Sequence, residues 1–164
     1  MEQKKTEQIL HLLAKDSRLT NQEIAVMLDS TEDEVAETVH QLEKDKIICG
    51  YHTLVDWNKV NDEDVTAVVE LRVTPQGGDG YERIAEKIKD FPQVETLYLM
   101  SGTYDFLVMI KGTTLKEISL FVSGNLASME EVQSTTTHFA LTKYKELGVS
   151  FATPKSDKRM VVTP

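Results

Sequence analysis

The chain contains 164 residues, of which 40% are hydrophobic and 27% are charged; this predicts a globular protein, with no apolar run long enough for a membrane span or a secretory signal. Its single cysteine, Cys49, cannot form an internal disulfide bond, which favours the reducing cytoplasm. The formal net charge of −9 is unfavourable for nucleic-acid binding, because duplex affinity depends mainly on Lys and Arg at the phosphates.

The pattern of residues 1–56 predicts three helices. The first has an apolar stripe formed by Ile9, Leu12 and Leu13. Two capping boxes mark the starts of the next two helices: Thr20 with Glu23, and Thr31 with Glu34. A short second helix followed by a longer, capped third helix is typical of a helix-turn-helix unit, whose later helix reads the major groove of DNA.

Two segments follow the predicted helices. Residues 47–55 are largely apolar, and we expect them to be extended as a small wing or a linker strand. Residues 57–64 are polar and rich in turn formers, so they predict a linker. The sequence therefore predicts an N-terminal winged helix-turn-helix domain over 1–56 and a second domain, with a C-terminal tail, over 65–164.

The pattern after Val65 predicts strands and helices in the order βαββαβ. Apolar residues alternate in the first strand, and Pro92 ends a helical stripe that begins at Tyr81. The remaining segments are two strands over 94–100 and 104–111, a helix over 115–126 and a strand over 132–141. This order predicts an α+β, ferredoxin-like (RAM/ACT-like) domain, in which two helices cover one face of a four-stranded antiparallel sheet.

The uncovered sheet face is predicted to be apolar in part. Phe106 lies on one side of its strand, yet Leu107 and Met109 on the other side are also apolar, and Val68 on the first strand is a further apolar residue that needs cover. A strand that is apolar on both sides needs cover on both sides. We therefore expect a homodimer in which the sheet of a second copy supplies that cover.

The turn Ser101–Phe106 joins two strongly apolar strands and predicts a site for a small zwitterion. Its small residues allow a sharp turn, and Asp105 follows at the edge of a strand. A carboxylate can bind an ammonium group, and backbone amides can bind a carboxylate. The alternative is that Asp105 only caps backbone amides of the hairpin.

Three motifs in this order resemble the Lrp/AsnC family: Asp16–Leu19, Gln41–Tyr51 and Ser101–Phe106. The resemblance covers nearly the whole chain. It implies a transcription regulator of bacteria or archaea that forms dimers and often octamers of four dimers, and it leaves dimer against octamer open. It also implies that the second domain binds amino acids or related metabolites at contacts between dimers.

The resemblance further implies two sets of site residues. DNA contacts are expected from the N-terminal domain: Arg18, Thr20, Thr31, Glu32, Glu37, Thr38, Gln41 and Lys44. Effector contacts are expected around the turn, with two threonines from the last strand: Met100, Gly102, Tyr104, Asp105, Thr135 and Thr137.

The third helix departs from the family pattern, which usually has arginines on its outer face and a glycine in place of Asp29. Residues 31–46 carry six acidic and two basic side chains. The alternative is therefore an oligomeric metabolite sensor that acts on protein partners through a domain unable to bind DNA.

The sequence gives little support for an enzyme. Its four histidines have no metal-ligand spacing, and no nucleophile motif is present. Some proteins of this architecture are sirohaem decarboxylases, but residues 65–164 contain only three arginines for the many carboxylates of a tetrapyrrole. We therefore expect no catalysis, no metal and no cofactor.

Overall fold

The computed structural model describes residues 2–60 and 64–151. The chain divides after Val55 into two compact units, which we call the N-terminal unit and the C-terminal unit. Within the described residues, no helix is long and apolar enough to cross a membrane.

The N-terminal unit contains the three predicted helices: α1 (Glu2–Lys15), α2 (Asn21–Leu28) and α3 (Glu32–Lys44). One side chain from α1 and one from α3 pack with two from α2, and these four form its buried core: Ile9, Ile24, Ala25 and Val35. Four partly buried leucines and Val39 complete the cluster. The apolar periodicity therefore predicted both the helices and their buried faces.

Both predicted capping boxes are present. The Thr20 Oγ1 accepts a hydrogen bond from the Glu23 amide at 3.2 Å, and the Glu23 carboxylate accepts one from the Thr20 amide at 2.8 Å. Thr31 and Glu34 form the same reciprocal pair at 3.3 and 3.2 Å. Each pair satisfies backbone amides that the first helical turn leaves unpaired.

The turn between α2 and α3 depends on Asp29, which has a left-handed backbone conformation with φ of 50° and ψ of 56°. The following amide, that of Ser30, donates to the Ala25 carbonyl at 3.0 Å and closes the end of α2. Aspartate visits this conformation more readily than most residues, though less readily than glycine. Asp29 therefore performs the backbone role for which the family pattern has glycine.

The predicted strand over 47–55 is wrong, because within the described part of the chain this segment forms no strand and pairs with none. The amides of Ile47 and Ile48 instead donate to the Leu42 carbonyl at 2.9 and 3.1 Å, at the end of α3. The Tyr51 hydroxyl donates to the Glu43 carboxylate at 2.8 Å. These bonds attach the segment to α3, and the described residues of this unit contain no strand that could pair with it.

The C-terminal unit contains the predicted βαββαβ order: β1 (Val65–Val73), α4 (Gly80–Lys89), β2 (Val94–Leu99), β3 (Phe106–Gly112), α5 (Leu115–Phe121) and β4 (Val132–Phe139). The sheet order is β2-β3-β1-β4, and all neighbouring strands are antiparallel. Helix α5 continues as a π-helical turn over Val122–Leu126. The buried core lies between the sheet and the two helices.

A small hairpin that the sequence did not predict follows β4. It consists of β5 (Lys145–Glu146) and β6 (Val149–Ser150). Leu147 and Gly148 at its tip have φ values of 45° and 82°, and positive values at both positions are typical of a two-residue hairpin turn. Two-residue strands are too short to show a period in the sequence.

The two faces of the sheet differ as predicted. Val69 and Phe106 are buried toward the helices, whereas Leu107 and Met109 lie half-buried on the opposite face. On that opposite face, Leu107 lies between Tyr98 on β2 and Glu70 on β1. We call this surface the outer sheet face.

Candidate functional site

Two polar side chains on α3 that were expected to read bases are bonded within the helix. The Thr38 hydroxyl donates to the Glu34 carbonyl at 2.7 Å. The Gln41 side-chain amide donates to both carboxylate oxygens of Asp45, at 2.9 and 2.8 Å. Base contacts through these groups therefore require them to exchange an intrahelical partner for a base edge.

The two capping threonines expected at the DNA surface have a defined structural role. Thr20 and Thr31 begin α2 and α3 through the bonds described above. Hydrogen bonds from the Ser30 hydroxyl and the Thr31 amide lower the pKa of Glu34 below its ordinary value. The start of α3 therefore depends on an ionised Glu34.

The charges around α3 are unevenly distributed. Its first turn contains Glu32, Asp33 and Glu34, whose negative charges interact favourably with the positive end of the helix dipole. Glu37 is exposed in the next turn. The exposed Lys44 lies in the last turn. Positive charge for phosphates is thus confined to the end of the helix.

Arg18 lies before α2 and is highly accessible. Its side chain is 89% exposed, and its Nε lies 3.3 Å from the Asp16 carboxylate. An exposed pair of this kind contributes little stability, so a phosphate can replace the aspartate at small cost. Arg18 is therefore accessible to a phosphate.

The turn between β2 and β3 is closed by backbone hydrogen bonds. The Met100 amide donates to the Asp105 carbonyl at 2.7 Å, and the Asp105 amide donates to the Leu71 carbonyl at 2.8 Å. Gly102 is exposed, and a Cβ built on it would meet no atom within 4 Å. The turn thus presents open backbone at Gly102, beside the half-buried Tyr104.

The Asp105 carboxylate joins three elements of the C-terminal unit. One oxygen accepts from the Val73 amide at 2.9 Å, and the other accepts from the Tyr81 hydroxyl at 3.2 Å. Burial, together with the nearby Asp105 charge, raises the pKa of Tyr81. Because each carboxylate oxygen can accept two hydrogen bonds, this arrangement leaves acceptor capacity for a ligand.

Sequence reasoning missed Tyr81 and Val73 as partners of Asp105. They lie 24 and 32 residues away along the chain. Tyr81 was assigned only to the apolar stripe of α4, and nothing local marks its hydroxyl as a partner of the turn. Only the register of β1 against β3, in which Leu71 lies opposite Phe106, brings these groups together.

The structure does not bring Thr135 and Thr137 to the turn within one chain. Thr135 lies opposite Leu71 on β1, and Thr137 lies opposite Val69. Since β1 separates β4 from β3, the threonines are two strand spacings, roughly 10 Å, from β3. They also share the helix-covered face with Leu71.

The described residues contain no group of three or more His, Cys, Asp or Glu side chains that could hold a metal ion. Cys49 is exposed, and its Sγ lies 3.0 Å from the Lys46 carbonyl.

Comparison with known proteins gives matches over both units. The profile described as the Lrp/AsnC ligand binding domain matches residues 66–149. The sequence is similar to the HTH-type transcriptional regulator YugG of Bacillus subtilis, with 44% identity over 163 residues, 99% of this chain and 98% of that protein. This relative and others are named as HTH-type transcriptional regulators, which supports the prediction of a regulator and not an enzyme.

The chain is also similar to solved structures of regulators over most of its length. The chain is similar to a transcriptional regulator from Neisseria meningitidis that was solved as a complex with L-methionine: TM-score 0.69, 26% identity, 91% of this chain and 95% of that one. It is also similar to LrpC of B. subtilis, with a TM-score of 0.61, 28% identity, and coverage of 86% and 95%.

Proposed function

The chain belongs to the Lrp/AsnC family of transcriptional regulators, and we propose that it is a cytoplasmic, DNA-binding regulator of genes for amino-acid metabolism or transport whose effector is an amino acid. The observation that carries this proposal is the match of the ligand-binding domain over 66–149, which follows in the chain a unit of three helices with capped α2 and α3. The L-methionine complex of the similar Neisseria protein supports an amino acid as the class of effector.

We propose that the effector binds at the turn between β2 and β3. The open backbone at Gly102 would receive the α-carboxylate, and the remaining acceptor capacity of Asp105 would receive the α-ammonium group. Met100 and Tyr104 lie beside these groups in the same turn. Thr135 and Thr137 would have to come from a second copy, because β1 separates them from the turn in one chain.

We further propose that the outer sheet face forms the dimer contact. Leu107, Met109 and Val68 present half-buried apolar surface there. A second copy of the same face would bury this surface, and dimers would assemble further through the turns that bind effector. Effector binding would then shift the population of assemblies and change the spacing of the α3 helices on DNA.

The test is a titration of labelled duplex from the region upstream of the protein's own gene, at low salt, with and without each amino acid. We expect binding that exceeds binding to a shuffled duplex, and at least one amino acid that changes the apparent Kd. No preference over the shuffled duplex under any condition would contradict the proposal.

A regulator that acts through protein partners is the second candidate. The observation that favours it is the surplus of acidic side chains over residues 31–46. If this candidate is right, the duplex titration gives no specific binding, while the amino acid still binds and changes the oligomeric state.

A further inference from the structure

A small cavity of about 170 Å³ lies within the C-terminal unit. Three segments form its lining, namely the loop after β1, helix α4 and the residues before β4: Gln76, Gly80, Arg83, Lys87, Glu130 and Glu131. We call it the α4 cavity. None of the residues expected to contact the effector belongs to this lining, so the cavity is separate from the turn between β2 and β3.

Two cations of α4 line the cavity and keep unused hydrogen-bond donors. Arg83 and Lys87 are four residues apart, so they lie on the same side of the helix. Arg83 donates to the Gln76 carbonyl, and its Nε lies 3.6 Å from the Asp79 carboxylate. Lys87 donates to the Glu131 carboxylate at 2.5 Å. Because both groups carry more N–H donors than these contacts use, they can also bind a carboxylate of a ligand.

The two carboxylates of the lining differ in what they contact. The hydrogen bond from Lys87 is the main cause that lowers the pKa of Glu131, and the charge of Arg83 adds to this effect. Glu131 is therefore ionised and paired with the cations of α4. Glu130 is exposed and has no side-chain partner among the described residues. Its carboxylate is thus available to a cationic group of a ligand.

The charges and the volume of the α4 cavity together restrict the ligand. An anion alone would face Glu130 and Glu131, and a cation alone would face Arg83 and Lys87. A zwitterion would meet an opposite charge at each end, where charge-assisted hydrogen bonds are the strongest kind. A water molecule has a share of about 30 Å³ in the liquid, so the cavity has room for roughly five or six waters. This is enough for an amino acid with a short side chain.

We propose that the α4 cavity is a second ligand site, which binds an α-amino acid with a short side chain. Arg83 and Lys87 bind the α-carboxylate, and Glu130 binds the α-ammonium group. The site does not rest on the proposed function, since it uses neither the turn nor the N-terminal unit. Gly102→Val distinguishes the two sites, because it blocks the turn and leaves the lining of the cavity unchanged.

The test is a titration of the Gly102→Val chain with L-alanine, followed by saturation-transfer difference NMR. We expect saturable binding. Adding Glu130→Gln should weaken it roughly tenfold and leave the thermal unfolding midpoint unchanged, since Glu130 has no partner to lose. Adding Arg83→Gln should weaken it by a similar factor, although this variant also loses the bond to Gln76.

Two controls separate the cavity from general attraction between charges. Lys89→Gln removes a charge from the same helix at an exposed residue outside the lining, so it should leave L-alanine binding unchanged. Propionate lacks the ammonium group of alanine, and ethylamine lacks its carboxylate. Each should bind the Gly102→Val chain at least roughly tenfold more weakly than L-alanine does.

Three results would overturn the second site. They are no saturable binding of L-alanine to the Gly102→Val chain, equal binding in Glu130→Gln and Lys89→Gln, and equal affinity for propionate and L-alanine. The duplex titration is independent of all three. If the wild type binds no specific DNA, the proposed function fails, and the L-alanine titration alone decides whether the α4 cavity is a site.

Discussion

Asp105 shows how one residue can both stabilise the fold and contact an effector. Its carboxylate accepts hydrogen bonds from Val73 and Tyr81, so it connects the end of β1 and the start of α4 to the turn in any case. The sequence indicated that a carboxylate lies at the turn but not what it contacts, since both partners are remote along the chain. We therefore expect mutants of Asp105 to lose stability, and an effector role has to be separated from that loss.

Asp105→Asn and Tyr81→Phe separate the two roles. Asparagine is neutral, so the Val73 amide and the Tyr81 hydroxyl lose their charged acceptor. We expect the free energy of unfolding to fall by about 1–2 kcal/mol. If Asp105 binds an α-ammonium group, effector affinity should also fall roughly 10- to 150-fold. Tyr81→Phe removes one bond to Asp105 and keeps the charge, so it should lower stability only. Calorimetry with a panel of amino acids and urea unfolding measure both. Equal effector affinity in wild type and Asp105→Asn would assign Asp105 to the hairpin alone.

Gly102→Val tests the open backbone of the turn. Because an added Cβ meets no atom within 4 Å in one chain, we expect the unfolding midpoint to remain unchanged. The valine should nevertheless block effector binding, which calorimetry measures. A matched control is Gly78→Val, since Gly78 also has open space around its Cβ and lies in a different loop. Effector binding that survives in Gly102→Val would place the effector elsewhere.

Gln41 and Lys44 test DNA contact by α3. Gln41→Ala should weaken binding to the specific duplex by about 1–3 kcal/mol and leave nonspecific binding nearly unchanged. Lys44→Ala should weaken binding to both and reduce the slope of log K against log salt by about one. Anisotropy titrations at several salt concentrations provide both quantities. If affinity and slope are unchanged in both variants, α3 does not read DNA.

At the scale of elements, the sequence predicted features that involve neighbouring residues well. It predicted features that depend on pairing between separate segments less well. The capping boxes at Thr20 and Thr31 involve residues three apart, so the sequence contains all the necessary information. The segment 47–55 shows the opposite case, because an extended pattern forms a strand only where an edge is available. There the free amides bond to the end of α3 instead.

Glu34 makes the start of α3 sensitive to pH. Its lowered pKa means that the ionised carboxylate stabilises the fold above the unfolded value of about 4.3, and that this contribution is lost as pH falls through the lower folded value. Glu34→Gln keeps an acceptor but does not titrate. We expect wild type to be more stable than Glu34→Gln at pH 7, and the difference to disappear in acid.

Urea unfolding followed by circular dichroism at several pH values measures this difference. Thr31→Ala serves as a reference, because it removes the cap hydroxyl at every pH and should cost about 0.5–2 kcal/mol. A difference between wild type and Glu34→Gln that stays constant down to pH 2 would show that the Glu34 charge does not stabilise α3.

At the scale of the whole molecule, the alternation of β3 already predicted an interface. Leu107 and Met109 remain half-buried in one chain, as the pattern indicated. The sequence could not predict which groups surround them, because that depends on register. The structure places Glu70 directly opposite Leu107, and Glu70 lies 3.4 Å from His138.

This register determines the best variant for the dimer contact. Leu107→Glu would place two carboxylates opposite each other within one chain, whereas Leu107→Lys would pair with Glu70. Both introduce a charge into the proposed interface at a cost of several kcal/mol. We therefore expect Leu107→Lys to form folded monomers in light scattering, while Glu82→Lys on the exposed side of α4 remains oligomeric. A monomeric wild type, or a dimeric Leu107→Lys, would contradict the outer sheet face as the contact.

The central claim is that effector binding in the C-terminal unit and DNA binding by the N-terminal unit are coupled. The most direct test measures how much each ligand changes the affinity for the other. The factor by which a saturating amino acid changes the Kd for the upstream duplex must equal the factor by which that duplex changes the Kd for the amino acid. We predict that the two measured factors agree and differ from one by roughly 5- to 150-fold. Specific DNA binding with both factors equal to one for every amino acid would contradict the account.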